Sequence, residues 1–174
     1  MGDIILYLGG AKSGKTRAAL AHAETYPPPR YYLATAEALD GEMADRIARH
    51  QAERGPTWRT VEEPLDLPAG LARAEPGAPV LLDCLTLWLS NLMGLDPGSR
   101  DTDAPLAKVD ALAEAAAKRP GPVIMVSNEV GGGLVPMDPV SRYFRDLSGL
   151  THQRLAKIAT SVFLVTAGLS QRLK

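Results

Sequence analysis

Eight residues near the start of the chain, Gly9-Gly10-Ala11-Lys12-Ser13-Gly14-Lys15-Thr16, satisfy the pattern GxxxxGK[ST] at every fixed position. Its glycines let backbone N–H groups curl around a phosphate, and a helix opening behind them adds the positive end of its dipole. Lys15 is placed to reach the β- and γ-phosphates, and the Thr16 hydroxyl to bind Mg²⁺. A second metal ligand is expected at the end of a neighbouring apolar strand. Asp83, closing Val80-Leu81-Leu82, is the candidate, because strand-end carboxylates face the ligand crevice of open α/β sheets. An Asp at that place also suits a helix N-cap, so both roles are open. The chemistry these residues point to is binding and cleavage of a nucleoside triphosphate.

Three histidines are the remaining candidates for proton or group transfer. His22 falls in the first helical stretch and reads as packing or solvent-facing. His152 lies in a late helix beside Gln153 and Arg154, and its role is open. His50 has Arg46, Arg49, Arg54 and Arg59 nearby. Arg46 and His50 are one helical turn apart, with Met43 and Ile47 able to anchor that helix. A solvated, Arg-rich helix face explains the same spacing equally well.

The elements that must carry these groups alternate. Apolar runs at Ile4–Leu8, Tyr31–Thr35, Trp58–Val61, Val80–Asp83, Pro122–Ser127 and Val162–Thr166 have strand length. Helical patterns fill Thr16–Tyr26, Asp40–Arg54, Leu85–Leu92, Leu106–Lys118 and Pro139–Ala159, and prolines or glycines end several of them. Pro64–Pro79 reads as connecting structure around a short helix, and Gly94–Asp103 as a polar loop. Strands alternating with helices predict an α/β fold with a RecA-like, mainly parallel sheet flanked by helices. The whole chain, 1–174, reads as one nucleotide-binding domain, with no repeat or boundary inside it.

Composition narrows the classes. Nineteen Lys plus Arg against twenty Asp plus Glu give a net charge of -1, which argues against a nucleic-acid partner gripped through overall charge. The single cysteine, Cys84, can form no internal disulfide, and no Cys/His cluster suggests zinc. Asp3 stands where a signal peptide carries positive charge, and Val80–Leu95 is too short and polar to span a bilayer. These features predict a cytoplasmic protein without membrane insertion. A guanine-specific NKxD motif is missing, and the length leaves little room for the coupling elements of a motor. A small-molecule transferase therefore leads, ahead of a nucleotide-dependent binding or regulatory module.

The phosphate loop, Ala34-Thr35, Asp40-Gly41-Glu42-Met43 and Arg46-Ile47-Ala48-Arg49-His50 together resemble the bifunctional adenosylcobinamide kinase/adenosylcobinamide-phosphate guanylyltransferase family. The resemblance continues through Trp58-Arg59-Thr60-Val61-Glu62, Leu82-Asp83-Cys84-Leu85-Thr86, Asn128–Pro136 and Arg142–Asp146, in family order and over nearly the whole chain. It implies two reactions. A triphosphate, ATP or GTP, phosphorylates adenosylcobinamide; GTP then gives GMP to the phosphorylated corrinoid through a guanylylated histidine, which falls on His50. It further implies nucleotide contacts at Ala34, Thr35, Ala36, Arg46, Gln51, Arg54 and Glu62, besides Gly9–Thr16 and Asp83. Glu62 would accept from the guanine N1 and N2 hydrogens. The family pattern implies a homo-oligomer, such as a trimer, and a kinase lacking nucleotide transfer is the alternative. Gly131-Gly132-Gly133 would line the corrinoid crevice or form a tight, positive-φ turn. Thr16 and Arg49 depart from residues seen in some members, and His152 stands where an Asn is frequent.

Overall fold

The computed structural model describes residues 2–36 and 54–174. Within them the chain runs β1 (Ile4–Gly9), α1 (Lys15–Ala23), β2 (Arg30–Ala34), β3 (Trp58–Glu62), α2 (Leu67–Ala72), β4 (Val80–Asp83), α3 (Leu85–Gly94), α4 (Asp103–Lys118), β5 (Val123–Asn128), α5 (Pro139–Ile158), β6 (Ser161–Thr166) and β7 (Leu169–Arg172). The expected strands and helices are present to within a few residues at their ends. The helix expected over Asp40–Arg54 lies, apart from Arg54 itself, outside the described residues.

One seven-stranded sheet has the order β3-β2-β4-β5-β1-β6-β7, and every neighbouring pair except β6–β7 is parallel. Parallel strands joined by crossovers are covered on both faces, so their sequences read as continuous apolar runs. Side chains alternate across the sheet. Ile4, Leu6, Leu8, Leu33, Leu82 and Met125 point into a core shared with α2 to α5, where Trp88, Leu89, Val109, Leu112 and Leu147 are fully buried. Ile5, Tyr7, Leu81, Ile124 and Val126 point the other way, with Ala19 and Ala23 of α1.

Local signals set the helix starts. Asp66 accepts from Ala69 N at 3.1 Å ahead of α2, and Asp138 accepts from Ser141 N at 2.7 Å ahead of α5; each helix has proline in its first turn. Arg119 ends α4 buried at 8% exposure and donates to the carbonyls of Leu71, Ala74, Glu75 and Ala78. The Leu71 and Glu75 carbonyls also accept from Ala74 N and Ala78 N; by donating to all four, the cation ties the α2–β4 connection to the end of α4. No helix among the described residues is long and apolar enough to cross a membrane.

Candidate active site

Because β1 to β6 run parallel, their carboxyl ends meet along one edge, where α/β sheets bind ligands. Gly9 pairs with Asn128, while Asp83 is level with Ala34 on one side and Val126 on the other. β4 thus ends level with β2 and two residues short of β5, and a cleft of about 830 Å³ opens there. It is lined by Ala11–Arg17, Asp83, Cys84, Asn128, Ala167 and Gly168.

The loop's shape follows from its glycines. A Cβ on Gly9 would lie 2.5 Å from both Ser13 Oγ and the Val165 carbonyl, so no other residue fits where β1 turns into the loop. Gly14 has φ +94°, a conformation costly for residues with a Cβ. The first hydrogen bond of α1 runs from Ala18 N to Gly14 O at 3.0 Å, leaving the preceding amides of that turn facing the cleft for a ligand. Lys15 is only 8% exposed, and its Nζ donates to Gly10 O at 3.0 Å across the loop. Ser13 Oγ is buried without a hydrogen-bond partner among the described residues. Gly9 and Gly10 themselves shape the loop and do not line the cleft.

Asp83 is not a helix cap. The N-cap position of α3 is Cys84, and Asp83 ends β4 with its Oδ2 accepting from Tyr32 Oη at 2.8 Å. Burial, reinforced by Asp83, pushes the Tyr32 hydroxyl well above its ordinary range, so it stays a proton donor to the carboxylate. The Arg54 guanidinium lies 3.6 Å from the Tyr32 ring centroid, so a contact chain joins Arg54 to Asp83. The Cys84 thiol is raised mainly by burial and secondly by Asp83, which disfavours a thiolate nucleophile.

Thr35 is fully buried, and its hydroxyl is taken up by the Cys84 backbone, accepting from N at 2.9 Å and donating to O at 3.0 Å. Asn91 of α3 donates to Thr35 O and Pro64 O, tying the ends of β2 and β3 together. Ala34 and Ala36 flank that knot. Glu62 ends β3 level with Ala34, exposed and two strand spacings, roughly 10 Å, from Asp83. Arg46, His50 and Gln51 lie outside the described residues. Gly131, Gly132 and Gly133 lie in consecutive bends and are not among the positive-φ glycines, so the positive-φ alternative does not hold; Gly131 N donates to Glu129 Oε1 and the Gly131 carbonyl accepts from Arg145.

The two described histidines are both structural. His22 Nδ1 meets Tyr7 Oη at 2.9 Å and its ring stacks on Tyr26. His152 is 6% exposed, with Nε2 2.7 Å from Ser127 Oγ and Nδ1 3.7 Å from Glu129 Oε2. Burial lowers its pKa, and Glu129 opposes that only in part. An unfolded chain therefore binds this proton more readily than the folded one. The stabilisation that results is present above the ordinary histidine value of about 6.5 and is lost as pH falls below it towards the lowered folded value. His22 shifts in the same direction, again chiefly through burial. His152→Asn should flatten part of this slope between pH 7 and 5 in urea melts; an unchanged slope would show that His152 is not a source of it.

Mg²⁺ takes a few hard oxygen ligands from protein and the rest from water and phosphate. The Thr16 hydroxyl and the Asp83 carboxylate open into the same cleft, and that donor set fits such an ion. Among the described residues no three His, Cys, Asp or Glu side chains come together to hold a metal ion.

Tyr32, Arg17, Ala167 and Gly168 are not singled out by the sequence: Tyr32 reaches Asp83 across the β2–β4 pairing, Arg17 follows the phosphate loop in α1, and Ala167 and Gly168 come from the β6–β7 turn.

A glycine-rich phosphate loop between β1 and α1, a strand-end carboxylate on β4 and a parallel sheet define a P-loop nucleotide-binding protein of the α/β class. Solved structures agree on the fold. The type III secretion ATPase EscN of enteropathogenic Escherichia coli superposes with TM-score 0.62 at 14% identity over 98% of this chain and 48% of that one. The RadB recombinase does so with TM-score 0.53 at 17% identity, over 94% of this chain and 74% of that one. The family model described as cobinamide kinase / cobinamide phosphate guanyltransferase matches residues 5–173, and the chain belongs to that family. The bifunctional adenosylcobalamin biosynthesis protein CobP of Pseudomonas aeruginosa is 46% identical over 97% of this chain and 96% of its own length. The bifunctional adenosylcobalamin biosynthesis protein CobU of Escherichia coli is 38% identical over 98% and 99%.

Proposed function

We propose that this protein phosphorylates adenosylcobinamide and then transfers GMP from GTP to the phosphorylated corrinoid, giving adenosylcobinamide-GDP for adenosylcobalamin synthesis. The observation that carries the reading is a complete phosphate loop facing Asp83 across one cleft, in a chain that matches the family over almost its full length.

In the first reaction the loop amides and Lys15 hold the β- and γ-phosphates of ATP or GTP, and the aminopropanol hydroxyl attacks the γ-phosphorus. In the second, pyrophosphate takes the place of the β- and γ-groups in the same loop, and a neutral His50 imidazole attacks the α-phosphorus. The resulting phosphoramidate keeps enough reactivity to pass GMP to the corrinoid phosphate. Thr16 and Asp83 would hold Mg²⁺, which when bound neutralises charge developing on the transferring group. Glu62, with Ala34 to Ala36, marks the direction in which the guanine would lie, and Arg46, Gln51 and Arg54 would meet its phosphates or ribose. The Tyr32 hydroxyl donates to Asp83 Oδ2 and orients that carboxyl group, so the bond positions the ligand. A homo-oligomer, such as a trimer, in the cytoplasm is part of the same reading.

Incubating the protein with α-³²P-GTP and Mg²⁺ tests it. A protein adduct stable in base and labile in acid, with release of pyrophosphate, is the expected result. Absence of any adduct while corrinoid phosphorylation proceeds would leave a kinase alone.

A further inference from the structure

A corrinoid acceptor is larger than the space a triphosphate leaves in the cleft, so most of it must rest on protein surface outside. The stretch that leaves the cleft at the end of β5 supplies such a surface. Between Asn128, which lines the cleft, and Asp138, the N-cap of α5, Leu134 is 97% exposed, Val135 67% and Met137 94%. Three apolar side chains held in water so close together mark a binding surface. The backbone beneath them is fixed: Arg145 donates to the Gly131 carbonyl at 2.7 Å, and Arg142 to those of Pro136 and Met137 at 2.9 and 2.7 Å.

That surface leads to a second cavity. A pocket of about 220 Å³ is walled by Leu92, Met93 and Leu95 at the end of α3, Ala104 and Pro105 at the start of α4, and Tyr143 of α5. Arg100 links it to the apolar stretch. Its guanidinium lies 5.7 Å from the centroid of the Tyr143 ring, and it adds to the Ser141 amide and hydroxyl in holding the Asp138 carboxyl below its usual range. Pocket and cleft lie at the same end of the molecule, because α4 and α5 run back to the amino ends of β5 and β6 and present their first residues at the carboxyl edge. α3, with 10 residues, spans from Cys84 in the cleft to Gly94 beside the pocket, roughly 15 Å at about 1.5 Å per residue.

The lining selects what can enter. The volume equals about seven waters at roughly 30 Å³ each, room for a purine and too little for a corrin ring. Apolar side chains and one aromatic ring suit a flat base, and the carboxylates of Asp96 and Asp101 can accept from ribose hydroxyls or an exocyclic amine. The Asp96 carboxylate makes no hydrogen bond with any described residue; Asp101 Oδ1 accepts from the Asp103 amide at 2.9 Å and Oδ2 is left over. Two carboxylates against the single Lys108 ammonium disfavour a phosphate, so a nucleoside without one fits best.

We propose that this pocket seats the 5′-deoxyadenosyl group of adenosylcobinamide, the one nucleoside in the two reactions that carries no phosphate. The macrocycle then lies on Leu134, Val135 and Met137, and the aminopropanol arm reaches the cleft. The proposal rests on the function read above and adds the acceptor's site to it.

Kinase turnover is measured in the full-length protein with adenosylcobinamide and with cyanocobinamide, whose upper axial ligand is a cyanide too small to fill the pocket. Ala104→Trp fills the cavity from an exposed position, and Asp96→Ala removes the carboxylate that has no partner. Each should raise the KM for adenosylcobinamide, relative to that for cyanocobinamide, roughly tenfold. In wild-type protein whose cleft is kept occupied by ADP, 5′-deoxyadenosine should shift the methyl NMR signals of Met93 and Ala104. An unchanged KM ratio in both variants, or methyl shifts confined to residues outside the pocket, would overturn the seat while leaving the kinase reading in place. A wild-type protein that phosphorylates neither corrinoid would instead overturn that reading, and the seat with it.

Discussion

Lys15→Ala should lower kcat/KM for both corrinoid phosphorylation and protein guanylylation by 10²- to 10³-fold or more, while leaving the fold intact. The size follows from what a desolvated donor aimed at transferring phosphate is worth, on the order of 3 to 4 kcal/mol in the transition state. Both reactions suffer because both place a β,γ-diphosphate unit in the same loop, as substrate in one case and as leaving group in the other. The fold survives because Lys15 Nζ has one partner among the described residues, the Gly10 carbonyl at 3.0 Å, and that carbonyl sits in an exposed loop residue. Removing a mostly buried cation with so little compensation relieves about as much desolvation as it loses in bonding. The melting temperature should move by no more than about 4 °C, equivalent to roughly 1 kcal/mol in a chain of this size. Lys15→Arg should not restore activity, since a forked guanidinium is larger and places its donors elsewhere. Undiminished turnover in either reaction would mean that the loop is not the shared cradle.

The parts of this site legible in the sequence are those where backbone geometry restricts the residue type. Gly9 admits no Cβ and Gly14 needs a positive φ, so the phosphate loop announces itself in a linear pattern. The strand ahead of it and the helix behind it are equally plain, because a parallel strand buried on both faces is apolar without interruption. Asp83 was legible as a strand-end carboxylate but not in its function, since metal ligand and helix cap predict the same residue there. Cys84 taking the N-cap position, and Tyr32 donating to Asp83, separate the two readings in space only. β7 escaped notice for a physical reason: Leu169-Ser170-Gln171-Arg172 is exposed throughout, so no alternation of burial marks it. Arg17 and Gly168 were invisible as neighbours in the cleft because 151 positions separate them and only the β6–β7 hairpin closes that gap. His152 was noticed in the sequence without a role, and Ser127 and Glu129 show it to be a buried structural group. The segment bearing Arg46, His50 and Gln51 is known through its resemblance to the family, and its place in the mechanism is a chemical argument.

His50→Ala should abolish transfer of label from α-³²P-GTP to the protein, by 10⁴-fold or more, and leave phosphorylation of adenosylcobinamide within about threefold of wild type. Phosphoryl transfer to an alcohol uses positioning and charge stabilisation, with the acceptor hydroxyl as nucleophile, so it needs no protein side chain to carry the group. Guanylyl transfer through the protein needs a side chain that attacks phosphorus while uncharged near pH 7 and leaves readily afterwards. Neutral imidazole meets both conditions, whereas burial raises the Cys84 thiol in the cleft and disfavours its thiolate. Removing a sole covalent nucleophile costs about as much as removing a whole catalytic unit, hence the predicted factor. The ratio of the two activities is the decisive quantity, because a variant that merely disturbs folding or the phosphate loop lowers both together. Persistent labelling in His50→Ala would move the guanylyl group to another residue. Parallel loss of both activities would mean that His50 shapes the common nucleotide site and does not carry GMP.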